Sequence, residues 1–111
     1  MLKIPCVYIL ASRVNGTLYT GVTGNVLDRV CIHKQDLAEG FTKKHDVHRL
    51  VYYETHQTFP EAIRREKQIK KWRRLWKIRL IEQVNPQWDD LLDELWGVVD
   101  HGTGGQARRE P

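Results

Sequence analysis

Glu66 is the most informative single residue of the chain. Its neighbours at turn spacing in a predicted helix are Ala62, Ile63 and Ile69, so a carboxylate sits on or beside an apolar stripe while basic residues take the other positions. Acids are almost never fully buried unless they are paired or bound to a metal. A hard oxygen ligand for Mg²⁺ meets that condition, and so does a structural salt bridge to a nearby arginine. Arg29 and His33 lie four apart on an earlier predicted helix, hence side by side on its surface at the edge of a face formed by Val26, Val30 and Leu37. Tyr8 and Tyr19 fall in two short apolar runs. Taken singly, His33 reads as a satisfied core histidine and the two tyrosines as sheet-packing residues.

The elements that must position these groups are legible from pattern. Residues 4–11, Ile-Pro-Cys-Val-Tyr-Ile-Leu-Ala, are nearly continuous in apolar character and predict a strand covered on both faces. Asn15-Gly16 marks a turn, and Thr17–Val22 is rich in strand-forming types, which predicts a β-hairpin. An even-length loop puts Tyr8 and Tyr19 on one face by strand parity. A four-residue loop, Ser12 to Asn15, sets them directly opposite, whereas a two-residue loop leaves them roughly 13 Å apart along the strands. After Gly24 the period becomes helical, with Asn25 as N-cap. Residues 39–46 predict a loop and His48–Glu54 a third strand. Thr58-Phe59-Pro60-Glu61 has the form of a capping box before a helix from about Phe59 to Lys71. Trp72, Trp76 and Leu80 continue at helical spacing and read as core residues of a further helix that ends before Asn85-Pro86. A last short helix is expected over Asp89–Trp96, and a disordered tail over 97–111, so the folded domain spans 1–96. Strand, strand, helix, strand, then helices predicts an α+β fold, a small three-stranded, mainly antiparallel sheet flanked by helices.

A chain of 111 residues has room for one core, so any function lives on one small domain. No stretch approaches the roughly 18 apolar residues of a membrane span, and the N-terminus lacks the pattern of a secretory signal, so a cytoplasmic location is expected. Cys6 and Cys31 belong to no Cys-x-x-Cys pair and read as reduced thiols rather than zinc ligands or a disulfide. The net charge is +4, but Arg64 to Arg79 holds nine Lys or Arg against the single acid Glu66. That +8 segment leaves −4 for the remainder, an asymmetry that favours a polyanionic partner, with a merely solvated helix face as the open alternative.

Together these residues form a known pattern. Cys6-Val7-Tyr8 followed by Tyr19-Thr20-Gly21 resembles the two halves of the GIY-YIG motif. Arg29 falls ten residues past the second tyrosine and His33 four further on. Glu61-Ala62 and Glu66 resemble the later helix of that nuclease superfamily, and Asn85 the asparagine near its end. The resemblance covers about residues 4–90 and is strongest to the compact stand-alone branch, through Tyr19–Thr23, Arg65–Lys70 and Asn85–Trp88; it extends to the N-terminal catalytic domain of the excision-repair nucleases. Cys6 stands where the motif name has glycine and Thr20 where it has isoleucine, and neither position supplies a reacting group.

What the resemblance implies is a metal-dependent endonuclease that hydrolyses phosphodiester bonds in nucleic acid, DNA above all, in repair or processing. Tyr8, Tyr19, Arg29, His33 and Glu66 are then the catalytic set and should converge on one concave surface. Glu66 holds Mg²⁺ or Mn²⁺ and Arg29 contacts the phosphate. Tyr8 is the general base toward water, Tyr19 orients water or phosphate, and His33 assists the proton path. Lys43, Lys44, Arg65, Lys70, Lys71, Arg73, Arg74 and Asn85 are the expected nucleic-acid contacts. No membrane and no obligatory protein partner are implied. Two other readings stay open: a nucleic-acid-binding module that keeps the fold without cutting, and an interaction protein whose basic helix meets an acidic partner.

Overall fold

The computed structural model describes residues 3–34, 47–92 and 94, with the backbone alone for 31–34. In chain order come β1 (Cys6–Ala11), β2 (Leu18–Thr23), α1 (Val26–Lys34), β3 (Arg49–Thr55), α2 (Phe59–Lys71) and α3 (Arg74–Val84). The strands form one antiparallel sheet in the order β2-β1-β3, flanked by helices, which is the α+β architecture expected. Lys43 and Lys44, the loop predicted over 39–46 and the tail predicted over 97–111 lie outside the described residues.

The unbroken apolar run of β1 follows from its central place, for all six of its residues are buried. Val7, Ile9 and Ala11 pack with Ala62 and Ile69 of α2, Ile81 of α3, and Val51 and Trp88. Tyr8 and Leu10 point to the other layer, against Val30 of α1, Val47 and Leu50. Full burial of an aliphatic side chain stabilises by about 1.5–3 kcal/mol, so these two layers on one sheet hold the fold.

The hairpin keeps the expected parity with a different register. Ala11 pairs with Leu18, so the loop is six residues, Ser12–Thr17, rather than four. Ser12 N donates to Thr17 O at 3.0 Å, and Thr17 N donates back to Ser12 Oγ at 3.0 Å. Inside the loop Gly16 N donates to Arg13 O at 2.9 Å, and Asn15 takes φ 58°, a left-handed conformation that Asn tolerates well. Tyr8 therefore faces Gly21, and Tyr19 faces Leu10.

Helix starts follow the predicted caps. Asn25 Oδ1 accepts from Asp28 N at 3.0 Å, and Thr58 Oγ1 accepts from Glu61 N at 3.3 Å with Pro60 in the first turn. The predicted bounds of α2 match those observed. Trp72 and Trp76 do not share a helix, because Trp72 is an extended cap (φ −69°, ψ 152°) that resets the phase before α3. Trp72 is half-buried and packs against the core as its spacing suggested, whereas Trp76 is 51% exposed and not a core residue, and Ile81 is the buried residue of α3. The helix expected from Asp89 starts later. Asp90 Oδ1 accepts from Leu50 N at 3.3 Å and from Leu92 N at 3.1 Å, and Leu91 N donates to Leu50 O at 2.7 Å, so this segment is tied to β3 instead.

Candidate active site

Tyr8 and Tyr19 share the sheet face that looks toward α1, and their ring centroids are 6.2 Å apart at 46°. They meet diagonally because Gly21, opposite Tyr8, has no side chain. A Cβ at Gly21 would lie 2.5 Å from Tyr8 Oη, so the phenol occupies the room this glycine leaves. Tyr8 is only 2% exposed, so a Cβ at Gly21 must displace a buried ring. Gly21→Ala is thus expected to lower stability by about 1–3 kcal/mol, the usual cost of overpacking, as read from the urea midpoint. Activity should fall further than stability, because the tyrosine pair is displaced.

Burial pushes the Tyr8 phenol above its ordinary range. The neighbouring Tyr19, including its hydrogen bond, adds to that rise and the charge of Arg29 opposes it. Tyr8 keeps its proton at neutral pH and is closed to water. This environment works against Tyr8 as the general base, while Tyr19 is only partly buried. Arg29 is exposed on α1, within electrostatic reach of Tyr8. His33 follows Arg29 by four residues on the same helix, and its side chain lies outside the described atoms.

Glu66 is 8% exposed in the stripe Ala62, Glu66, Ile69, whereas Ile63 is 40% exposed. Ala62 and Ile69 pack on the sheet face turned away from Tyr8. Convergence on one surface therefore describes Tyr8, Tyr19 and Arg29, while Glu66 comes from the second layer. Among the described residues its ion-pair partner is Lys70, Nζ to Oε2 2.7 Å, one turn along the helix, and not an arginine. The helix carrying Glu66 packs on β2 and β1, and β2 is an outer strand of the sheet.

Three expected nucleic-acid contacts are occupied by the fold. Arg65 donates to Glu54 through Nε at 2.9 Å and through its terminal nitrogen at 3.3 Å. Arg74 donates to Asn15 O at 2.7 Å and Gly16 O at 2.6 Å, clamping the hairpin loop onto α3. Asn85 is 4% exposed and donates from its amide to Val51 O at 3.0 Å and Asp89 O at 2.9 Å, while its Oδ1 accepts from Asp89 N at 3.0 Å. Both amide protons are used, so Asn85 is a structural clip rather than a ligand contact. Lys70, Lys71 and Arg73 remain on the exposed surface.

Pattern reading missed Glu54, which gathers Arg65, the Tyr52 hydroxyl and His56 Nε2 at 2.6 Å. Burial raises the Glu54 carboxyl, but the hydrogen bonds from Tyr52, Arg65 and His56 outweigh it and hold the group below its ordinary range. A depressed carboxyl stabilises the fold above its unfolded pKa, about 4.3, and that contribution is lost as pH falls through the folded value. Glu54→Gln should therefore flatten the acid limb of a plot of thermal midpoint against pH. An unchanged limb would contradict the network's role.

Residues 4–79 match the model of the GIY-YIG catalytic domain. The chain belongs to the GIY-YIG family. It is similar to the UPF0213 protein of Staphylococcus haemolyticus, 39% identical over 69% of this chain and 93% of that one, and to that of Staphylococcus epidermidis, 38% identical over the same shares. The solution NMR structure of the UPF0213 protein of Bacillus halodurans superposes with a TM-score of 0.50 at 28% identity, covering 78% of this chain and 92% of that chain. GIY-YIG domains are a nuclease family, generally dependent on a divalent metal, so nucleic acid is the substrate class the family implies. Among the described residues no helix is long and apolar enough to cross a membrane.

Among the described residues no three His, Cys, Asp or Glu side chains gather, and Glu66 is a nearly buried carboxylate. A lone carboxylate of this kind would suit a hard divalent cation that keeps most of its waters.

Proposed function

We propose that the chain is a divalent-metal-dependent endonuclease that hydrolyses phosphodiester bonds in DNA during repair or processing. The observation that carries this reading is the Tyr8–Tyr19 ring pair with Arg29 in electrostatic reach on one sheet face. Arg29 presents an exposed planar fork that suits a phosphate and the charge it gains during in-line attack. Tyr19, open to water, orients the nucleophile. Tyr8, buried and protonated, fixes Tyr19 by its hydrogen bond, and His33 completes the proton path. Glu66 would hold Mg²⁺ or Mn²⁺, which when bound would supply Lewis-acid chemistry to the phosphate. The reading requires the scissile phosphate at the β2 edge, where both layers can address it. Lys70, Lys71 and Arg73 track the backbone.

The Glu66–Lys70 pair favours a second reading, a module that binds without cutting, because it neutralises the carboxylate within its own helix. Incubation with flap, fork, nicked, single-stranded and RNA substrates, with Mg²⁺ or Mn²⁺ and with chelator, decides between them. The nuclease reading expects product only with metal and binding that weakens steeply with added salt. Salt-sensitive binding with no product on any substrate supports the module.

A further inference from the structure

One side of α3 carries Trp76, Arg79, Leu80 and Gln83, and with Arg65 and Trp72 these residues line a cleft of about 360 Å³. It lies on the α2–α3 layer, away from Tyr8 and Tyr19. The Trp72 and Trp76 rings stand edge to face, 6.1 Å apart at 74°, and half of Trp76 is open to water. One wall is fixed in advance, because Arg65 lies 5.2 Å over the Trp72 ring while Glu54 holds its guanidinium. The surrounding segment, Arg64 to Arg79, carries nine cations and one acid.

Aromatic faces set among cations bind unpaired nucleotides: the ring stacks on a base of any type while the cation meets the phosphate. Bases inside a duplex are already stacked and offer no such face. An acidic peptide would use the cations and leave the tryptophans idle. We propose that this cleft seats a single-stranded stretch, a base against Trp76 and its phosphate on Arg79, so that the substrates are nucleic acids with an unpaired part. The proposal rests on the nucleic-acid reading above. It adds a second contact surface on the helix pair that begins with the Glu66 helix.

Anisotropy titration of a dye-labelled short oligothymidylate, with the full chain and in chelator, tests the cleft apart from any cleavage. Trp76→Ala is expected to weaken binding roughly tenfold, the scale of one lost stack, and Trp76→Phe to recover part of it. Arg79→Ala should flatten the salt dependence. Leu75→Ala, exposed on the same helix outside the cleft, keeps wild-type affinity and serves as the control. A Trp76→Ala protein with native circular dichroism that binds oligothymidylate as tightly as wild type overturns the proposal, as does equal competition by polyglutamate. Trp76-dependent binding by a chain that cuts no substrate would leave the cleft standing and remove only the nuclease reading.

Discussion

Glu66→Gln is expected to abolish metal-dependent cleavage while the fold and nucleic-acid binding persist. The substitution keeps size and hydrogen bonding but removes the charge that a hard cation needs. Loss of that ligand should lower the cleavage rate by at least about 10²–10³-fold, the scale of a removed transition-state contact. Stability should change little. The Glu66 side chain is 11% exposed, but Lys70 is 52% exposed and stays hydrated when its partner loses charge, and a pair with one end in water contributes about 1 kcal/mol. A Glu66 that only pairs with Lys70 would make the opposite prediction, a folded Glu66→Gln protein that cuts at the wild-type rate. Single-turnover cleavage and a melting curve on the same preparation separate the two.

Arg29→Ala carries the second large effect. Arg29 is exposed on α1, so truncation leaves the core untouched. It removes both the proposed phosphate fork and the charge that opposes the burial-driven rise at Tyr8. Cleavage should fall by about 10²-fold or more. Arg29→Lys should recover only part, since an ammonium lacks the planar bidentate geometry. Full activity of the lysine variant would reduce Arg29 to a point charge. Full activity of the alanine variant would remove it from the site.

How far the sequence reaches is clearest at the hairpin. Strand parity places Tyr8 and Tyr19 on one face, and the structure keeps them there. The register escapes a local reading, because the six-residue loop is closed by Ser12 and clamped by Arg74 from 58 and 59 residues away, and no turn rule contains such a partner. Capping residues announce both α1 and α2, because a cap is a local hydrogen bond.

Trp76 departs from its expected core role because helical phase counted from Trp72 does not survive the two extended residues, Trp72 and Arg73, between the helices. Arg65 and Asn85 look available for a ligand in the sequence, yet each is consumed by groups far along the chain, Glu54 for one and the Val51 carbonyl for the other. Glu66 is legible as a carboxylate on an apolar stripe. Which sheet face that stripe covers depends on how α2 crosses the sheet, and periodicity carries no such information.

Glu66 and the tyrosine pair are proposed to serve one site across the β2 edge. Titrating the isotope-labelled chain with Mn²⁺ and following line broadening of backbone amides by NMR tests this directly. A shared site predicts that amides around Glu66 and those of Tyr19, Gly21 and Arg29 broaden together, over the same range of metal concentration. Broadening confined to the surroundings of Glu66, with Tyr19 and Gly21 left sharp, would contradict it.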